Sequence, residues 1–238
     1  MATSTESQRT NKASRTTIFL KLTMAASGAL FVLYVLLHMY GNLKALGGMQ
    51  PFDEYAEHLR TLLTPMLPYG GFLWLFRALL IVALIAHVYS AFTLWSRANA
   101  ARPTKYAVKR AAGAALRAKW MRWGGVALLA FVIFHLLQFT IIKFNVNPDV
   151  SDSEIGVSPY RLLHASFQVW WVVLIYLVAL VALGLHLFHG VWSAAQTMGW
   201  TTTVRARRAA KTTGLVLALV VSIGFAIPPL AIFFGLGS

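Results

Sequence analysis

Cysteine is absent from the 238 residues, and its absence removes three chemistries. Disulfides, iron–sulfur clusters held by thiolates of this chain, and haem attached through a Cys-x-x-Cys-His motif are all excluded. Clusters in a partner chain are not. Acidic residues are scarce as well, seven against 21 Lys and Arg, which leaves a net charge of +14. Charged residues make up only 12% of the chain, 58% is hydrophobic, and the mean hydropathy is +0.65. A soluble domain carries about 25% charged residues, so the solvent for most of this chain is lipid.

Five apolar runs, approximately 18–40, 72–95, 123–142, 166–192 and 213–234, have the roughly 20 residues that a helix needs to cross a bilayer. Barrel strands need only about 10 residues and alternate in polarity, a pattern these runs lack. The expected fold is all-α: a single integral membrane domain, 1–238, of five transmembrane helices. The connections 41–71, 96–122 and 143–165 are too short to bury a core of their own. The first run exceeds a signal-peptide core and shows no cleavage site, so it reads as a retained anchor. Pro228 and Pro229 are expected to kink or interrupt the fifth helix near the outer surface.

The charges sort by side. Arg9, Lys12, Arg15 and Lys21 precede or open the first span. Arg97, Arg102, Lys105, Lys109, Arg110, Arg117, Lys119 and Arg122 join the second to the third, and Arg205, Arg207, Arg208 and Lys211 join the fourth to the fifth. Six of the seven acids, Asp53, Glu54, Glu57, Asp149, Asp152 and Glu154, fall in the other two connections. By the positive-inside rule the N-terminus is cytoplasmic and the C-terminus outside. The basic residues are divided among membrane-flanking loops and match no nucleic-acid-binding motif, so no nucleic-acid partner is expected. They suit anionic lipid or a protein docked on the inner face, above all at the 97–122 connection.

Against that apolar background the histidines stand out. His38, His87, His135, His186 and His189 all fall inside the runs, on four successive helices. Any one of them alone could be a hydrogen-bonding residue between helices. Depth arithmetic at about 1.5 Å per residue places His38 about 25 Å beyond Lys21 and His135 about 20 Å beyond Arg122, while His87 and His189 lie about 15 Å from their inner markers Arg97 and Gly199. The result is an outer pair, His38 with His135, and an inner pair, His87 with His189. Two pairs at two depths meet the requirement of two bis-histidine haems, each gripped between helices. Zinc would instead draw three ligands into one cluster. Eleven residues before His38 and His135 stand Ser27 and Gly124, nearly on the same helical faces and about 16 Å deeper. They are candidates for packing beside the inner haem, or for ordinary close helix contact.

In this order, "SGALFVLYVLLHMYGNLK", "LIAHVYSAFTLWSR", "GGVALLAFVIFHLLQFT" and "GLHLFHGVWSAAQTMGW" resemble the dihaem, b558-type cytochrome b membrane subunit of succinate dehydrogenase and fumarate reductase. The similarity spans all five runs, and its most specific part is the His-Gly pair followed by Trp-Ser in the fourth. It implies two haem b groups, the distal one on His38 and His135 and the proximal one on His87 and His189. The histidine directly before glycine favours His189, with His186 as the alternative. It also implies a bacterial cytoplasmic membrane location, flavoprotein and iron–sulfur subunits docked on the cytoplasmic face, electron transfer to or from a quinone, commonly menaquinone, and room for a higher oligomer of the complex. Dicarboxylate chemistry would belong to the partners, because no dinucleotide-binding glycine pattern occurs here.

For the quinone, the sequence suggests an outer site near the distal haem, with an inner site close to the iron–sulfur partner as the main alternative. His164 and Gln168, read as the start of the fourth helix, lie 25 and 21 residues before His189 and so share its face. Arg77 stands at the same outer level, and Glu57 could join a proton path. Two other readings stay open: a cytochrome b subunit of another respiratory dehydrogenase, and a haem-free anchor or transporter that uses its histidines for hydrogen bonding or proton relay.

Overall fold

The computed structural model describes residues 3–101 and 112–236, with side chains described for 17–101 and 119–236. Arg102, Lys105, Lys109 and Arg110 therefore lie outside the described residues, as do the side chains of Arg9, Lys12, Arg15 and Arg117. Every described element is helical: α1 (Thr3–Leu43), α2 (Met49–Thr61), α3 (Gly71–Ala100), α4 (Ala112–Leu136), α5 (Asp152–Ile155), α6 (Pro159–Phe167), α7 (Trp170–Thr197) and α8 (Val204–Phe233). A 3₁₀ turn, Lys44–Gly47, follows α1, and a π-helical turn, Leu137–Ile141, extends α4. Five stretches are long and apolar enough to cross a membrane: Thr17–Gly47, Gly71–Ala100, Lys119–Ile141, Trp170–Thr197 and Val204–Phe233. Their outer faces carry exposed Trp, Leu, Ile and Val side chains, as lipid-facing surfaces must.

The fourth run differs from its expected form. It is two helices, α6 and α7, divided at Gln168 and Val169, where Val169 turns extended (φ −93°, ψ 114°). Ser158 caps α6 by accepting from Arg161 N, and Pro159 occupies its first turn, where no N–H is needed. Asp53 on α2 accepts a further bond from Tyr160 N at 3.1 Å. The 143–165 connection, on the side expected to be outer, also buries a small cluster, Ile155, Leu162 and Ala165 against Phe139 and Val150. It forms a lid of short helices over the bundle rather than a bare loop.

The fifth helix is not interrupted. α8 runs through Pro228 and Pro229, both buried, since neighbouring protein can satisfy the carbonyls that a proline frees. α8 packs chiefly along α7 and also meets α1. Glycine makes the α7–α8 approach close: a Cβ on Gly214 would lie 2.8 Å from the carbonyl oxygen of Phe188, and one on Gly184 would lie 2.7 Å from Ser222 Oγ. Leu187, Ala218 and Val221 fill the seam, with Val32, Val35 and Leu36 of α1 against it. On the other side of the bundle α1 packs on α3, and α4 on α7. The pairs α1 with α4 and α3 with α7 are not packed neighbours among the described residues. A hollow separates them.

Candidate functional site

That hollow is one continuous cavity of about 2550 Å³, lined by residues of α1, α3, α4, α7 and α8 and by the outer lid. A small-molecule site typically encloses about 300–1,000 Å³, so this one has room for more than a single compact ligand. Its walls are mostly aliphatic and aromatic. Among the described residues five cations line it, Lys21, Arg60, Arg77, Arg122 and Lys143, against one carboxylate, Asp152.

Four imidazoles face this space in two pairs. His38 of α1 and His135 of α4 have ring centroids 5.9 Å apart at an interplanar angle of 82°. His87 of α3 and His186 of α7 have centroids 6.2 Å apart at 55°. Each pair thus joins two helices that do not otherwise pack together. Ser27 meets His87 and stands eleven residues before His38, while Gly125 meets His186 and stands ten before His135. At the helical rise this sets the two pairs about 15 Å apart along the bundle.

The inner partner of His87 is His186, not the favoured His189. On the α7 wheel, the cavity-lining Ala179, Leu183 and Gly190 lie about 20–60° to one side of His186, whereas His189 lies about 60° to the other. His189 is half-buried and is not among the cavity-lining residues. The expected packing residues divide in a similar way. Ser27, 7% exposed, reaches Nδ1 of His87 at 3.1 Å. A Cβ added to Gly124 would meet nothing within 4 Å among the described residues, whereas one on its neighbour Gly125 would lie 3.6 Å from Cε1 of His186. The inner imidazole comes from α7, so α4 meets it about a quarter turn away from the face that carries His135.

Hydrogen bonds set which ring nitrogens are free. Ser27 Oγ donates its one proton to the Thr23 carbonyl at 2.7 Å, so toward His87 it accepts, and Nδ1 carries the proton. Tyr176 Oη donates to Gln138 Oε1 at 3.0 Å and accepts from His135 Nδ1 at 3.0 Å. Both Nε2 atoms therefore keep a lone pair. His186 Nδ1 is buried and has no hydrogen-bond partner among the described residues. Tyr34 stacks on His38 at 5.3 Å and Phe225 lies 5.7 Å from it, while Phe31 meets His87 edge-on at 5.9 Å. Tyr176 carries no signal in the sequence, and Gln138 has only its i, i+3 helical spacing from His135 to mark it.

The four residues expected at a quinone site are not brought together. Arg77 lines the cavity, its guanidinium 5.1 Å from the Trp74 ring. His164 and Gln168 line a separate small outer pocket with Glu154, Tyr160 and Arg161. The break before α7 removes the shared helical face that linked these two residues to the inner histidine. Gln168 there accepts from Asn147 Nδ2 at 3.1 Å. Partial burial holds the His164 imidazole below its ordinary pKa. Glu57 is on the exposed face of α2, accepting from Tyr69 Oη at 2.8 Å and pairing with Arg60 at 3.6 Å.

The arrangement supplies two separated pairs of imidazole rings in an apolar space with cations among its lining residues. Among the described residues no group of three or more His, Cys, Asp or Glu side chains is placed to hold a metal ion, so the donors are arranged in pairs rather than as a zinc-type cluster. Comparison with family models, curated proteins and solved structures gives no match.

Proposed function

We propose that this chain is the membrane-anchor dihaem cytochrome b subunit of a succinate:quinone oxidoreductase, carrying electrons between an iron–sulfur partner and a membrane quinone such as menaquinone. The observation that carries the reading is the spacing of the two imidazole pairs. Two imidazoles on opposite sides of one metal, each nitrogen about 2 Å from it and each centroid roughly 1 Å further back, have centroids about 6 Å apart. The pairs here are at 5.9 and 6.2 Å. Each spans helices held apart by a hollow, which is the space a flat macrocycle needs. His38 with His135 would hold the outer haem and His87 with His186 the inner one.

Haem, when bound, supplies one-electron chemistry. The chain's own contribution is to hold and orient the ligands, exclude water with aromatic walls, and match anionic propionates with cations. Lys21 and Arg122 can serve at the inner end and Arg77, Arg60 and Lys143 at the outer end. The proposal places the chain in a bacterial cytoplasmic membrane with its N-terminus inside, and docks flavoprotein and iron–sulfur subunits against the basic inner connections.

Purification of the native complex tests the reading. Two haem b per chain, a low-spin reduced-minus-oxidised spectrum, and co-purifying flavoprotein and iron–sulfur subunits active on succinate or fumarate are expected. Subunits of a different dehydrogenase would move the assignment to that complex and leave the haem sites standing. A native preparation without a haem band would reject the cytochrome and favour a plain anchor or transporter.

A further inference from the structure

Tyr176 is 8% exposed on α7, and the rings of Phe131, Phe134, Phe139 and Phe167 lie 5.0 to 6.4 Å from its own. Its hydroxyl has a single proton and two partners, Gln138 Oε1 and His135 Nδ1, each at 3.0 Å. A carbonyl oxygen can only accept, so the phenolic proton goes to Gln138 and the phenolic oxygen is left to accept from His135 Nδ1. Each bond polarises the next, which makes the phenol a better acceptor than it would be alone. Gln138 is fully buried and sits in the π-helical turn that follows α4, a kind of turn that recurs at functional sites.

We propose that Tyr176, oriented by Gln138, is the positioning residue of the outer imidazole pair. It fixes the His135 tautomer, aims the Nε2 lone pair into the cavity, and raises the electron-donating strength of that ring toward the metal it ligates. The inference rests on the haem reading given above. The inner pair is backed differently: His87 is bonded to a serine hydroxyl held by its own helix, with no phenol or side-chain amide behind it, and His186 Nδ1 has no partner among the described residues. The two levels therefore differ in the shell behind the ligands, and that shell tunes a metal site.

The test is a redox titration of the purified complex carrying Tyr176→Phe or Gln138→Leu, followed by absorption and by low-temperature EPR. Phe keeps the aromatic packing and deletes only the hydroxyl. Without its acceptor, Nδ1–H releases less electron density to the ring, ferric iron is less stabilised, and the midpoint potential of the outer haem rises. The expected change in its ferrous-to-ferric ratio at fixed poise is on the order of tenfold, about 59 mV for a one-electron couple. Gln138→Leu leaves the phenol in place as a weaker acceptor and should shift the same haem the same way by less. The inner haem, unshifted in both, is the internal control. Two haems with unchanged potentials in both variants would overturn the inference and leave the cytochrome reading intact. A wild-type complex without haem would overturn both. If Tyr176→Phe loses the outer haem, Gln138→Leu decides: an upward shift supports the proposal and an unshifted potential overturns it.

Discussion

Ser27 on α1 and His87 on α3, sixty residues apart in the chain, meet through a 3.1 Å hydrogen bond between Oγ and Nδ1. The serine proton is committed to its own helix, at the Thr23 carbonyl, so the imidazole must donate. Ser27→Ala removes this acceptor from a half-buried imidazole and leaves it only its contact with the Met24 backbone, a loss of about 1 kcal/mol. Under the haem reading the expected outcome is inner-haem affinity weakened roughly tenfold, as for other groups behind a metal ligand, with the outer haem unaffected. Haem content per chain during titration of the apoprotein measures it, and equal loss at both levels would refute the pairing.

Under the haem reading, substitution decides the inner ligand. His186→Ala should remove one haem of two, as should His87→Ala, whereas His189→Ala should retain both because His189 is not on the cavity wall. His38→Ala and His135→Ala should each remove the other haem. The spectra of singly substituted chains separate the two levels, and loss of haem in His189→Ala with retention in His186→Ala would reverse the assignment.

The depth of the histidines was legible in the sequence because helical rise is constant, so counting from charged ends sorts them into two levels. Their azimuth was not. α7 is apolar on nearly every face, since lipid and cavity are both apolar, and no polar stripe tells which side of it points inward. The preference for His189 over His186 rested on a local match, whereas the rotation of α7 in the bundle sets His186 against His87. The break at Gln168 was hidden for a related reason: the apolar run continues across it without glycine or proline. Gly125 in place of Gly124 follows from which helix supplies the facing imidazole, a tertiary fact. Tyr176 is 41 residues from His135 and 38 from Gln138, and only the folded chain brings its hydroxyl to both.

Packing between α7 and α8 gives a stability prediction. An alanine Cβ at position 214 meets the Phe188 carbonyl, a backbone atom that cannot swing aside. Gly214→Ala should therefore force the helices apart and destabilise the protein by about 1–3 kcal/mol. At Gly184 the obstacle is Ser222 Oγ, which can rotate away by giving up its 3.1 Å bond to the Leu180 carbonyl, for about 1 kcal/mol. Thermal unfolding in detergent should rank Gly214→Ala below Gly184→Ala, and both below the parent. The reverse order would contradict the close approach at Gly214.

His164 supplies a pH prediction outside the membrane spans. Burial lowers its pKa in the folded chain, while the unfolded value is about 6.5. Between the two the unfolded state binds more protons, so stability falls as pH drops below about 6.5 and levels off once the folded imidazole also titrates. Tyr160 lies against the ring at 5.6 Å, and Glu154 and Arg161 share its pocket. The effect is small because the ring is only partly buried. The apparent thermal midpoint measured from pH 7.5 to 5 should decline more steeply in the parent than in His164→Gln, and identical slopes would remove His164 as the cause.

Quinone chemistry separates the candidates that the sequence grouped. A site for it needs haem proximity, an apolar slot and a hydrogen-bond donor. Arg77 meets all three under the haem reading, since it lines the cavity ten residues before His87 and on the outer side of it, beside Trp74. His164 and Gln168 face a different pocket, and Glu57 is an exposed carboxylate already paired with Tyr69 and Arg60. Arg77→Gln should lower quinone-linked kcat/KM by roughly tenfold, about 1.4 kcal/mol of transition-state stabilisation. Dicarboxylate turnover with a soluble dye should be retained. His164→Ala, Gln168→Ala and Glu57→Gln should stay within about twofold of the parent, less than 0.5 kcal/mol on the same scale. Steady-state assays with a menaquinone analogue, alongside haem quantification of each variant, make the comparison. A large loss in His164→Ala with normal kinetics in Arg77→Gln would move the quinone from the cavity to the lid.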